Sequence, residues 1–410
     1  MLPRPKTIKK IYLDHAATTP VDKRVLAVMK PYFSEKFGNP SALYGLGREA
    51  KSAIDGARKT IAALMHALPE NVIFTAGGSE ANNMAIIGVA RSHASKGKHI
   101  VSLSIEHHAV LRPLEELAKE GFEITYVPVD KNGLVSAEAI ARAIRKDTIL
   151  VTIMFANNEM GAIEPIADIG REILKFRKAN NTIYPLFHTD ACQAAGYLDL
   201  DVEKSHVDLM SINGGKIYGP KGVGMLYIRR GVNIKPIIFG GGQEKNRRAG
   251  TENTAGIVGL AEAFKIAQAQ KEKESARERE LTKYLWKQIS EKIPDTKLNG
   301  PEIGDARLPN NLNVTFMNIE GEAMLLYMDE YGIMCSTGSA CTSDSLEPSH
   351  VLRAMGMSYE MAHGSIRFTF GRSNAKADIG YLMKYLPAIV TTLREISPVN
   401  SGAKHARYKK

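Results

Sequence analysis

From about residue 60 to residue 230, short apolar, β-branched runs alternate with segments whose apolar positions recur every three or four residues. This pattern predicts strands at Asn71–Thr75, His99–Ser104, Glu123–Val127, Ile149–Phe155, Pro185–His188, Asp208–Ile212 and Gly224–Ile228. It predicts helices over Glu80–Ser92, Ala109–Glu120, Ser136–Arg145 and Ile166–Ala179. Alternation of the two implies an α/β fold, a mainly parallel central sheet flanked by helices. Ligands of such sheets bind beyond the carboxyl ends of the strands. After Thr254 a long helical stretch begins, and a smaller α+β region follows with strands near Asn311–Phe316 and Ser365–Phe370. The mixed-sign run at 271–280 reads as a solvated helix face.

Composition narrows the function classes. With 410 residues, 44% hydrophobic and 24% charged, the chain can bury a sizeable core. The net charge of +10 gathers partly in the two termini, which read as solvated ends. No arginine-rich block with interleaved aromatics accompanies it, so direct nucleic-acid binding is not expected. Cys192, Cys335 and Cys341 are the only cysteines. So sparse and odd a set argues against a disulfide framework and for a reducing compartment, hence a cytoplasmic protein. Asp14 and His15 interrupt what would otherwise be a signal-peptide apolar region, and no stretch approaches the length of a membrane span.

Three motifs carry candidate chemistry. In T-A-G-G-S-E (75–80), Gly77 and Gly78 end a strand while Ser79 and Glu80 open a helix, an arrangement suited to a phosphate or merely to a tight connection. In H-T-D-A-C-Q (188–193), Asp190 sits just past a strand and could pair with a protonated heterocycle nitrogen or cap a helix. In N-G-G-K-I-Y-G-P-K-G (213–222), Lys216 could form a Schiff base, with Lys221 as its competitor. Phosphate turn, carboxylate and lysine share one explanation: pyridoxal 5'-phosphate needs all three.

The sequence resembles the cysteine desulfurases of the NifS/IscS type, among the fold-type-I pyridoxal-phosphate enzymes of the class V aminotransferase family. The likeness runs from Y-L-D-H-A-A-T-T-P (12–20) to I-R-F-T-F-G-R (366–372). Between them stand F-G-N-P-S, I-E-H-H-A-V, N-N-E-M-G, G-G-G-Q-E, A-G-T and S-T-G-S-A-C-T-S. The resemblance implies a large cofactor domain over 15–255 and a small domain from 1–14 and 256–410, with a cysteine loop at about 336–348. It makes Lys216 the Schiff-base lysine, Asp190 the partner of the pyridinium nitrogen, Gln193 a contact of the ring hydroxyl and His107 the ring-stacking proton carrier. Gly78, Ser79 and Asn213 fall at the phosphate. Thr251 matches a threonine that reaches the neighbouring subunit's cofactor, which implies a homodimer. Asn158 and Arg367 match the groups holding the substrate carboxylate. Cys341, on a small, polar stretch whose composition predicts a mobile loop, becomes the nucleophile that takes sulfur from L-cysteine as a persulfide, leaving L-alanine. The sulfur would then pass to an acceptor such as an iron–sulfur scaffold protein or a carrier for tRNA thiolation. Cys335 reads as structural and Cys192 as packing near the cofactor.

One departure stands out. The family carries serine and histidine at the positions of Asn213 and Gly215, so a phosphate-binding histidine is missing here. Looser cofactor binding is the expectation, with Arg247 a possible substitute cation. The rival readings are a selenocysteine lyase or aminotransferase of the same fold, or a weakened sulfur-carrier scaffold.

Overall fold

The structure is a computed structural model in which residues 8–338 and 347–397 are described. Cys341 and both basic termini lie outside those residues.

Seven strands form the central sheet. In spatial order they are Val72–Thr75, Gly224–Ile228, Leu209–Asn213, Leu186–Asp190, Thr148–Thr152, His99–Leu103 and Glu123–Val127. All run parallel except Gly224–Ile228, which is antiparallel to both neighbours. Its link from Leu209–Asn213 contains only a short 3-10 turn, Gly214–Lys216. That is too little chain for a parallel crossover. The interior strands are buried on both faces, which is why their sequences read as continuous apolar runs rather than alternating ones. Only the edge strand Glu123–Val127 exposes part of its length.

Helix Gly78–His93 packs on this sheet and buries Met84, Ile86 and Val89 in one core cluster. Helix Thr254–Lys292 is 39 residues, roughly 58 Å at 1.5 Å per residue. Ile257, Leu260 and Phe264 in its first half join the core of the large sheet. Leu281, Leu285 and Ile289 in its second half join a separate core. One helix therefore fastens two hydrophobic cores together. The second core covers a three-stranded antiparallel sheet, Ser365–Thr369, Asn311–Phe316 and Thr296–Leu298. The N-terminal strand Ile11–Tyr12 pairs with Ile333–Met334, and Ile11 and Leu13 pack into this second core. The chain then crosses to the large sheet, where Thr19 N–H bonds the Gly215 carbonyl at 2.9 Å. Residues 14–19 thus lie between the two cores and over the strand ends.

Candidate active site

Two adjoining cavities, about 430 and 230 Å³, open at the carboxyl ends of the strands and share Ala17, Gly78, Ser79, Asn213 and Lys216. The larger is walled by the 76–80 turn together with Gly215, Lys221 and Gly222. The smaller contains His107, Asn158, Asp190, Gln193 and Arg367. Every site residue expected from the sequence borders one of them except Thr251, which is exposed on its own chain, and Cys341, which lies outside the described residues.

The glycine turn is built for an anion. Helix Gly78–His93 has Gly77 at its N-cap, with φ 156°, and no side-chain cap. Its first-turn N–H groups, which have no partner within the helix, therefore point at the cavity. Gly78 is fixed by space: a Cβ there would stand 2.6 Å from Cys192 Sγ and 3.3 Å from Asn213 Cβ.

Asp190 is the last residue of its strand rather than a residue beyond it, a correction to the predicted boundary at His188. It is 7% exposed. Its Oδ2 accepts from Asn82 Nδ2 at 2.6 Å and its Oδ1 from Cys192 N–H at 2.9 Å, so the carboxylate is oriented from both sides. Burial, reinforced by Asp190, pushes the Cys192 thiol well above the usual range, which disfavours the reactive thiolate.

Lys216 follows Asn213, whose Oδ1 accepts from Gly215 N–H at 3.0 Å and closes the 3-10 turn. The Lys216 ammonium donates to the carbonyls of Ala16 at 2.9 Å and Ala17 at 2.6 Å. Gln193 Nε2 also bonds the Ala16 carbonyl, at 3.0 Å. Lys216 borders both cavities, whereas Lys221 borders only the one at the glycine turn.

His107 caps helix His108–Lys119, its Nδ1 accepting from Ala109 N–H at 3.0 Å. With Nδ1 an acceptor, the neutral ring carries its proton on Nε2. The preceding residue, Glu106, is fully buried, with Oε1 accepting from Met154 N–H at 2.7 Å and Oε2 without a partner among the described residues. Burial raises this carboxyl well above the usual range.

Arg367, 1% exposed, reaches the cavity from the small sheet. Nη2 pairs with Asp14 at 2.7 Å, Nη1 bonds the Asn158 carbonyl at 3.0 Å, and Nε is buried without a partner among the described residues. A guanidinium held this way is preset for a carboxylate.

The class-V aminotransferase family profile matches residues 11–382. The chain belongs to the class-V aminotransferase family. A relative from Dictyoglomus turgidum named cysteine desulfurase IscS is 51% identical over 390 residues, 95% of this chain and 97% of its own. The solved structure of a NifS-like protein superimposes with a TM-score of 0.87 at 36% identity, covering 94% of this chain and 100% of its own. That of SspA in complex with cysteine gives 0.75 at 39% identity, covering 88% and 98%.

The donor set of this member of the class-V aminotransferase family fits a pyridoxal phosphate: open helix amides for a phosphate, an oriented buried carboxylate for a ring nitrogen and a lysine that borders both cavities. Sequence reasoning missed Asn82, Glu106 and Glu159. Glu159, buried in N-N-E-M-G, accepts from Ser349 Oγ. Its Oε2 would also lie 3.0 Å from a Cβ on Gly338. One carboxylate thus lies near Gly338 and bonds Ser349, residues on the two sides of 339–346. Only the family motif could have pointed to it. Arg247, the substitute cation expected from the sequence, borders neither cavity.

Proposed function

We propose that the protein is a cysteine desulfurase that binds pyridoxal 5'-phosphate in these cavities and moves the sulfur of L-cysteine onto Cys341. The carrying observation is that Lys216, Asp190, His107 and Arg367 border one cavity. When bound, the cofactor supplies an electron sink for the carbon next to the substrate's amino group. Lys216 would hold its aldehyde and Asp190 its ring nitrogen, while the 76–80 turn, Ser79 and Asn213 would hold its phosphate. Gln193 would bond the ring hydroxyl. His107 would cover the ring and exchange a proton at Nε2. Arg367 and Asn158 would take the substrate carboxylate.

Sulfur transfer balances without an outside oxidant. The Cys341 thiolate attacks the substrate sulfur, an S–S bond forms, and the carbon–sulfur bond breaks with its electron pair going to carbon. That carbon takes up a proton and becomes the methyl group of L-alanine. The thiolate is the reactive form.

A homodimer is part of the proposal. Phe33, Phe37, Leu43 and Phe239 are 64%, 66%, 89% and 83% exposed on the single chain. A subunit interface would take such side chains out of water. Thr251, which borders neither cavity of its own chain, would serve the partner's. Glu244, Lys245 and Asn246 before it all have positive φ, a conformation pinned by the buried Arg58–Glu244 pair at 2.7 Å. An iron–sulfur scaffold or thiolation carrier would receive the sulfur. A cytoplasmic setting agrees with the sparse cysteines, and no described helix is long and apolar enough to cross a membrane.

The test is to mix the pyridoxal-phosphate-loaded protein with L-cysteine and a thiol reductant and to quantify alanine and sulfide. Equal yields from the parent, with sulfide lost in Cys341→Ala, support the proposal. Neither product from a loaded protein would refute it.

A further inference from the structure

The position where the family places its phosphate-binding histidine is Gly215, and the structure shows what stands there instead. A Cβ on Gly215 would meet only ordinary contacts: Asn213 Oδ1 at 3.5 Å, Lys221 Cγ at 3.7 Å and Thr18 Oγ1 at 3.9 Å. The space left by the missing side chain is therefore bounded by the stem of Lys221. That lysine is tied to the same loop. Its Nζ donates to the Thr19 carbonyl at 2.6 Å, while Thr19 N–H and Oγ1 bond the Gly215 carbonyl at 2.9 and 3.1 Å. An ammonium has three hydrogens, so two remain for another acceptor.

Lys221 also faces the right cavity. It borders the larger one with Gly77, Gly78 and Ser79. Two other charged groups line that cavity, Glu80 and Lys216. Glu80 is neutralised by Arg248, Nε to Oε1 2.9 Å. Lys216 would be bonded to the cofactor aldehyde and so lost as a phosphate cation. That leaves Lys221 as the fixed positive charge at the glycine turn.

We infer that Lys221 is the cation that holds the cofactor phosphate in this protein, in the place of the absent histidine. The inference rests on the proposal that the cavity binds pyridoxal 5'-phosphate. It assigns Lys221 a binding role and no part in the chemistry on the substrate.

Apoprotein titrated with pyridoxal 5'-phosphate, and separately with pyridoxal, isolates the phosphate term, because the two ligands differ only there. Binding is read from the absorbance of the bound ring. Lys221→Met should weaken pyridoxal 5'-phosphate about 10- to 100-fold, the worth of one charge-assisted hydrogen bond. It should leave pyridoxal within about twofold. Lys221→Arg should stay within a few-fold of the parent for both ligands. Adding Gly215→His to Lys221→Met should recover most of the loss. The assignment is overturned if Lys221→Met binds pyridoxal 5'-phosphate as the parent does, or if it weakens both ligands alike. A parent that binds neither ligand overturns the cofactor proposal together with this one, a result distinct from either of those.

Discussion

Replacing Gly78 with alanine should tighten the glycine turn against Cys192 and drive up the cofactor's dissociation constant. The added Cβ would sit 2.6 Å from Cys192 Sγ, roughly 1 Å inside a comfortable non-bonded separation. The second neighbour, Asn213 Cβ at 3.3 Å, leaves little room to slide sideways. Overpacking of this kind costs about 1–3 kcal/mol. If the turn yields rather than the sheet, that cost falls on ligand binding and weakens pyridoxal 5'-phosphate about 5- to 150-fold. Cys192→Ala removes the clashing sulfur. The double variant Gly78→Ala/Cys192→Ala should therefore bind several-fold more tightly than Gly78→Ala alone, a coupling that two independent sites would not show. Absorbance titration gives the dissociation constants, and thermal unfolding of the apoproteins shows how much of the cost stays in the fold. The reasoning is refuted if the double variant is as impaired as Gly78→Ala in both measurements.

Two further outcomes follow from the same geometry. Arg367→Lys keeps one charge for Asp14 but loses the planar fork, so KM for L-cysteine should rise about 10- to 100-fold with cofactor absorbance unchanged; an unchanged KM removes Arg367 from the substrate site. Glu278 is buried, and burial, partly opposed by Arg277, raises its carboxyl to about 8. The folded state therefore keeps a proton that the unfolded state has released, so its contribution is full below about 4.5 and is lost as pH rises to about 8. Glu278→Gln should flatten the decline of the urea-unfolding free energy between pH 5 and 8 by an amount of order 4 kcal/mol. An unchanged slope would contradict this.

The central strands were legible because burial on both faces leaves continuous apolar runs, and their ends were placed within a few residues. Asp190 and Lys216 were legible because each lies at a strand end, where the fold puts its ligands. Asn82 was not. It meets Asp190 across 108 positions of chain, and its helix gives no local sign of an inward amide. The pairing of Ile11–Tyr12 with Ile333–Met334 escaped for a similar reason: two residues show no period, and the partner lies at the far end of the chain. The direction of Gly224–Ile228 could have been read from the short link before it. Local propensity cannot supply the buried carboxyls Glu106 and Glu159, since both are chosen by what packs on them. Lys221 entered the sequence reading only as a rival to Lys216, and its place at the glycine turn became visible only once Gly215 was seen to be open.

That rivalry allows a direct measurement of the central claim, that a pyridoxal phosphate is held on Lys216 between the glycine turn and Asp190. The loaded protein is reduced with borohydride, which fixes the ring to the lysine that carries it, then digested and mapped by mass spectrometry. The account predicts the phosphopyridoxyl group on Lys216 and none on Lys221, with the label lost in Lys216→Ala. Label on Lys221, or a loaded protein in which no lysine is modified, would contradict it.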